Sequence, residues 1–354
     1  VGGPASHAPE VAEYLRGHGH QVEVVISAPA APAREPYPVY WFARSLKPGA
    51  RHLAGVRLIA ARARTAEVVY ATGMLGRASL GTFAARRPLV IKLTADPAYE
   101  RARRLGLWRG SLEDFQHSRA LATLPLRLAR DADVRRAAHV ITPSAYLLEL
   151  ARGWGVPAAH ASVLPNPTPP LPALPPREEL RARFGISGPT LVFAGRLTAQ
   201  KSLGLGIEAA RAAGIELLIA GEGPERAELE RLGYGRFLGP LARSAVLELF
   251  AAADAVLLSS TWENFPHVLV EALAVGTPVI TTRAGGVAEV VHDGENGLIV
   301  PPGDLEALTA AIIRFFASPE LEAALRRAAA PSVADYSPAR VYARLEEILL
   351  RAAS

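Results

Sequence analysis

Four ionisable side chains in the second half of the chain have the types and spacing to hold an anionic, hydroxyl-rich ligand. Arg196 and Lys201, five residues apart, lie in Gly195-Arg196-Leu197-Thr198-Ala199-Gln200-Lys201-Ser202-Leu203, between a strand-like run (190–194) and the start of a helix. Backbone N–H groups and the dipole at a helix N-terminus favour an anion there, and a guanidinium with an ammonium could grip a diphosphate from two sides. The same two cations also fit ordinary solvated surface charges. Glu263 stands at the carboxyl end of the next candidate strand (255–258), and Glu271 eight residues on, within the first turns of a helix. Eight helical residues rise roughly 12 Å at about 1.5 Å each, about the reach from a sugar across a diphosphate to a ribose. A carboxylate accepts two hydroxyl hydrogens at once, which suits vicinal hydroxyls. Read structurally instead, Glu271 is a helix-dipole partner and Glu263 a solvated loop charge.

Such residues need rigid elements beneath them, and the chain has room for these. Its 354 residues suggest about two domains, with 50% apolar and 21% charged residues, a composition that excludes disorder. With no cysteine, disulfides, thiol catalysis and cysteine-ligated zinc or iron–sulfur sites are excluded. The longest run free of Asp, Glu, Lys and Arg, residues 153–176, is broken by prolines and cannot span a bilayer as a helix. No secretory signal is recognised at the start, so a cytoplasmic protein is expected.

Strands are predicted at residues 22–27, 68–71, 89–93 and 139–142, then at 190–194, 215–220, 236–238, 255–258, 278–281 and 298–300, with helices between many of them. Short buried strands alternating with longer helices predict parallel sheets of βαβ units. The expected fold is α/β, with two Rossmann-like parallel-sheet domains facing each other across a cleft. Ligands in such sheets bind at the carboxyl ends of the strands. The boundary is the run 165–176, seven of whose twelve residues are proline, read as a semi-rigid extended linker. It divides an N-terminal domain (1–164) from a second one (177–335). A last segment (336–354) is expected to form a helix crossing back to the first domain. The opening Val1-Gly2-Gly3-Pro4 reads as the loop after a first strand that is missing, as in a fragment.

Charge is split between the halves. Residues 1–170 carry 22 Lys+Arg and 12 Asp+Glu, a net +10, leaving −5 for the remainder. A basic half suggests an anionic partner such as a membrane face, a charged acceptor or nucleic acid. An Arg-rich spelling of solvated positions explains it equally well.

Taken in order, the motifs resemble the retaining nucleotide-sugar glycosyltransferases of family 4 with the GT-B fold. The likeness covers almost the whole chain and is densest from Leu191 to Asp304. It runs through Phe193-Ala194-Gly195-Arg196-Leu197, Lys201, Ile219-Ala220-Gly221-Glu222-Gly223-Pro224 and Phe237-Leu238-Gly239. It continues through Glu263-Asn264-Phe265-Pro266, Glu271-Ala272-Leu273-Ala274, Gly276-Thr277-Pro278-Val279, Gly285-Gly286, Glu289, Asp293-Gly294, Asn296-Gly297 and Pro301-Pro302-Gly303-Asp304.

The resemblance implies transfer of a hexose from a nucleoside-diphosphate sugar to a glycan or glycolipid hydroxyl, with no cofactor and no metal ion. It assigns Arg196 and Lys201 to the donor diphosphate, Glu263 to the donor sugar and Glu271 to the ribose. Asn264, Phe265 and Pro266 are assigned to the sugar and diphosphate through their backbone. Gly221, Gly223 and Leu238 would line the nucleotide side. Gly2 and Gly3 match a glycine pair that approaches the donor phosphates, and His7 a histidine that often follows it. The leaving phosphate is expected to take the acceptor's proton.

The first half departs from the family pattern. Where many relatives carry a histidine after the strand 89–93, the chain reads Leu93-Thr94-Ala95-Asp96-Pro97, leaving Asp96 as the candidate for the reacting centre. Asp96-Pro97 also fits a turn that caps the next helix. Residues 111–116 are a candidate acceptor loop. Asp131-Ala132-Asp133 is read as helical surface charge rather than a metal motif, and the nine histidines show no metal-ligand spacing. An epimerase or hydrolase on the same architecture is the alternative enzyme. A non-catalytic sugar-nucleotide binder gains weight from the missing strand and histidine. Nucleic acid ranks last, since it explains none of the carboxylates, and docking on an anionic membrane remains an expectation for the basic half.

Overall fold

The structure, a computed structural model, describes residues 4–354, with side chains from His7 onward. Gly2 and Gly3 lie outside the described residues. The chain divides into two compact units, one of Val1–Pro165 with Tyr342–Ser354, the other of Asn166–Val341.

The first unit holds β1 (Val24–Ala28), β2 (Val39–Ala43), β3 (Val69–Ala71), β4 (Leu89–Lys92), β5 (His139–Thr142) and β6 (Ala161–Val163). These form two parallel sheets, β1-β2 and β3-β4-β5-β6, rather than the single sheet expected. Two of the strands, β2 and β6, were not predicted. Val39–Ala43 follows a proline-rich stretch and carries three aromatic or amphipathic residues, and Ala161–Val163 is too short to show alternation. Leu89, Ile91, Leu93 and Val140 form one buried face with Ala151 and Trp154. The final helix, Pro338–Ala353, reaches this unit: Tyr342 donates to Glu10 Oε2 at 2.6 Å, and Glu346 pairs with His20 at 2.6 Å.

The second unit holds β7 (Thr190–Ala194), β8 (Glu216–Ala220), β9 (Arg236–Gly239), β10 (Ala255–Leu258), β11 (Val279–Thr282) and β12 (Gly297–Val300). All pair in parallel in the order β12-β11-β10-β7-β8-β9. Their residues are apolar almost without interruption because helices cover both faces, and every residue of β7 and β10 is buried. The connections reverse direction at β7, so β7 and β10 flank the switch point, the place where open α/β sheets bind ligands.

The proline-rich run is not a free linker. From Asn166 it belongs to the second unit, where Thr168 N donates to Tyr336 O at 2.7 Å and Asn166 Nδ2 lies 3.0 Å from His267 Nε2. Proline supplies no ladder donors, so side chains and the few remaining amides make the attachment.

Candidate functional site

Loops leaving β7, β8, β9 and β10 converge on the carboxyl edge of the six-stranded sheet. The β7 loop passes through Gly195 and Arg196 to a single 3-10 turn, Ala199–Lys201, and then the helix Leu203–Ala213. Ser202 joins the two at φ +45°, a left-handed conformation uncommon outside glycine and asparagine. The strain is held from β10, because the buried Ser259 hydroxyl reaches Ser202 O at 2.9 Å and Lys201 O at 3.2 Å. Thr261 N donates to Gln200 O at 2.9 Å, and Gln200 Nε2 returns a bond to Trp262 O at 2.8 Å. The two loops at the switch point are thereby clasped together.

That clasp brings Lys201 to Glu263. The ammonium lies 2.5 Å from Glu263 Oε1, which also accepts from Ser260 Oγ at 2.6 Å. The Glu263 side chain is 8% exposed and that of Lys201 18%, so the pair is largely withdrawn from water. The Glu263 carbonyl accepts from Gly286 N at 2.9 Å, which anchors this loop to the short turn Gly285–Glu289.

The β8 loop is pressed onto the β7 loop. A Cβ on Gly221, whose φ is +142°, would fall 1.8 Å from Gly195 O, and one on Gly223 would fall 2.1 Å from Leu197 O. Only glycine permits this approach. Backbone bonds seal it, from Gly195 N to Ala220 O and from Leu197 N to Glu222 O, each 2.9 Å. Leu238, on β9, is half-buried next to Gly239, which accepts from Gly221 N at 2.8 Å.

Glu271 lies in the helix His267–Ala274 and is paired with Arg243, whose Nη2 donates to Oε1 at 2.8 Å. Burial pushes the Glu271 carboxyl above the usual carboxylate range, and the Arg243 guanidinium opposes that rise. Arg243, at the start of the helix Arg243–Ala252 that follows the β9 loop, was not foreseen. It lies 28 residues before its partner and belongs to no recognisable motif, so nothing in sequence spacing marked it. Ser259 and Ser260 were missed in the same way.

Of the four residues singled out first, the fold joins Lys201 and Glu263 directly; Arg196 lies on the same β7 loop as Lys201, and Glu271, in the helix after Glu263, pairs with Arg243 instead. Arg196 is exposed and makes no ion pair among the described residues. Asn264, Phe265 and Pro266 are buried between Glu263 and the helix His267–Ala274, and the Phe265 ring meets His267 and Tyr336 edge to face.

In the first unit Asp96 requires correction as a catalytic candidate. It is fully buried and its carboxylate is already spent. Oδ1 accepts from Ala98 N and Tyr99 N, capping the helix Pro97–Arg104, while Oδ2 accepts from Gln116 Nε2 at 2.9 Å and Arg130 Nη1 at 2.7 Å. Arg130 stacks 4.1 Å over the Trp154 ring, so Asp96 is the keystone of a buried polar cluster. The expected acceptor loop is instead the helix Leu112–His117, capped by Ser111, and its Gln116 serves the same cluster through Trp154 Nε1. His7 Nε2 lies 3.1 Å from Tyr70 Oη.

Comparison with known proteins identifies two family models, two relatives and a solved structure. Residues 176–331 match the family model described as glycosyl transferases group 1, and residues 2–167 match that of the glycosyl transferase 4-like domain. A glycogen synthase of Mycobacterium tuberculosis is 30% identical over 93% of this chain and 86% of its own. The alpha-D-kanosaminyltransferase of Streptomyces kanamyceticus is 31% identical over 44% of each chain, so the match spans under half of that relative. In structure, Alr3699/HepE of Anabaena, solved in complex with UDP and glucose, superposes with a TM-score of 0.77 at 23% identity, covering 99% of this chain and 96% of that one.

Proposed function

On the premise that this chain belongs to the GT-B glycosyltransferases that join a 4-like domain to a group 1 domain, we propose that it transfers a hexose, with retention, from a nucleoside-diphosphate sugar to a glycan or glycolipid hydroxyl. The carrying observation is the Lys201–Glu263 contact at the switch point, a buried cation beside a buried acid, which supports binding of a ligand that carries both phosphate and hydroxyl groups. The UDP and glucose held by the Anabaena protein support a nucleotide-sugar donor.

In this reading Arg196 and Lys201 neutralise the donor diphosphate, without a metal ion. Glu263 accepts hydrogens from the sugar hydroxyls, and Glu271, oriented by Arg243, accepts those of the ribose. The close packing of Gly221 and Gly223 keeps side chains out of the nucleotide's path. As the bond from the sugar's anomeric carbon to the phosphate oxygen breaks, negative charge builds on the departing diphosphate, and fixed cations lower the cost of that charge. The acceptor oxygen bonds the anomeric carbon on the same face, and its proton passes to the leaving phosphate. No protein base is called for, consistent with the structural role of Asp96.

Among the described residues no helix is long and apolar enough to cross a membrane. The Arg-rich first unit exposes Phe83 (72%), Leu121 (81%) and Leu128 (58%), which supports peripheral attachment to an anionic membrane at the cytoplasmic face. The deciding assay follows free nucleotide released from UDP-, GDP- and ADP-hexoses with and without lipid-linked and free sugar acceptors. Acceptor-dependent release with a glycosylated product is expected. Equal release without any acceptor would establish a hydrolase instead.

A further inference from the structure

Arginine outnumbers lysine 36 to 3 in this chain, so each lysine is an exception to its own composition. Lys47 is exposed and Lys201 belongs to the site above. Lys92 is neither. It is 2% exposed, and its Nζ has no hydrogen-bond partner among the described residues.

Its place in the fold is informative. Lys92 is the last residue of β4, at the carboxyl edge of the four-stranded sheet. Strand alternation and register put Tyr70, Val90, Lys92, His139 and Ile141 on one face, opposite the apolar face of Leu89, Ile91 and Leu93. The helices Pro4–Gly17 and Pro338–Ala353 cover this face, His7 reaching Tyr70 and lying 6.0 Å, ring to ring, from Tyr342. The titratable groups there are Tyr70 on β3, His139 on β5, His7 and Glu10 on the first helix and Tyr342 on the last. Glu10 accepts the Tyr342 hydroxyl, and His139 is hydrogen-bonded to Ser162. Among the described residues no carboxylate pairs with Lys92.

An unpaired buried ammonium is costly, and burial alone pushes Lys92 down to about 7. An arginine here could not discharge at all, and a methionine would pack without penalty. Parallel sheets receive ligands at this edge, and an isolated ammonium suits a phosphate as a point charge, whereas planar carboxylates favour the arginine fork. We propose that Lys92 is an anion-binding residue whose ammonium receives a phosphate oxygen of a bound substrate. The proposal stands independently of glycosyl transfer.

Three lysines make the test direct. The full chain labelled at lysine Cε with carbon-13 gives three side-chain signals by NMR. Lys92→Met removes the Lys92 signal, and should that variant fail to fold, Lys47→Arg and Lys201→Arg identify it by exclusion. The signal is expected to titrate near neutrality in the free protein. Its midpoint should rise by more than one pH unit, a tenfold preference for the charged form, when a phosphate probe binds. A rise with UDP assigns the phosphate to the donor, and a rise with glucose 6-phosphate alone assigns it to an acceptor. A midpoint unmoved by UDP, glucose 6-phosphate and inorganic phosphate overturns the proposal.

Discussion

Lys201 and Glu263 come from loops after two different strands, yet the ammonium sits 2.5 Å from the carboxylate. On the proposed function, a donor would present phosphate to the first and hydroxyls to the second. Both are largely buried, so neither can be removed without exposing its partner's charge to a poorly solvated site.

Lys201→Ala is expected to cut turnover at least a hundredfold, in line with about 2.7–4 kcal/mol for one lost donor to a developing oxyanion. Arg196→Ala should approach the same loss with no change in melting temperature, because that side chain is exposed and outside any ion pair among the described residues. Steady-state kinetics with paired thermal denaturation separates the two effects. Near-normal turnover in both variants removes these residues from the mechanism.

If Glu271 accepts ribose hydroxyls as proposed, it does so ionised, and because burial raises its titration range the affinity should fall as pH drops through it. Arg243→Ala removes the group opposing that rise, so the fall should begin at higher pH. Calorimetric binding of the nucleotide at pH 5.5 and pH 8 should show a several-fold larger loss for the variant at the lower pH. A loss equal at both values would mean that Arg243 does not act through Glu271.

The second unit was readable in the sequence because unbroken apolar strands and glycines pressed against backbone leave local marks, as at Gly221 and Gly223. Its predicted strands lie within a residue or two of those observed. Arg243 and Ser259 left no such mark, since their partners arrive from distant loops by tertiary packing. Asp96 shows the opposite failure. An acid after a strand, at the place of a missing histidine, reads as chemistry, and only Gln116 and Arg130, 20 and 34 residues later, reveal it as structural.

Asp96→Ala removes one of two carboxylates from the buried Arg130, which keeps Asp131 at 2.8 Å, so the cost should fall toward the lower end of the about 3–5 kcal/mol for a broken buried pair. Denaturant unfolding of the variant is expected to show a loss of that order. Unchanged stability with abolished turnover would return Asp96 to the reacting centre.

Lys92→Met should be more stable than the parent chain at pH 6, where the parent buries a charged ammonium. The unfolded chain keeps its lysine protonated up to about 10.4, so between about pH 7 and 10 the parent's unfolded state binds more protons than its folded state. Parent stability therefore rises with pH across that window, by up to about 1.4 kcal/mol per unit, and the gap to the variant closes. A gap independent of pH would place a counter-ion beside Lys92.

The proposal that Arg196, Lys201, Glu263 and Glu271 hold one donor is tested most directly by thermal denaturation with UDP-, GDP- and ADP-sugars. At about 100 times its dissociation constant a donor adds roughly 2.7 kcal/mol of stability. One nucleotide class should raise the melting temperature of the parent chain, with the rise much reduced in Glu271→Ala and in Lys201→Ala. A rise retained in full by both variants, or absent with every nucleotide sugar, would contradict the account.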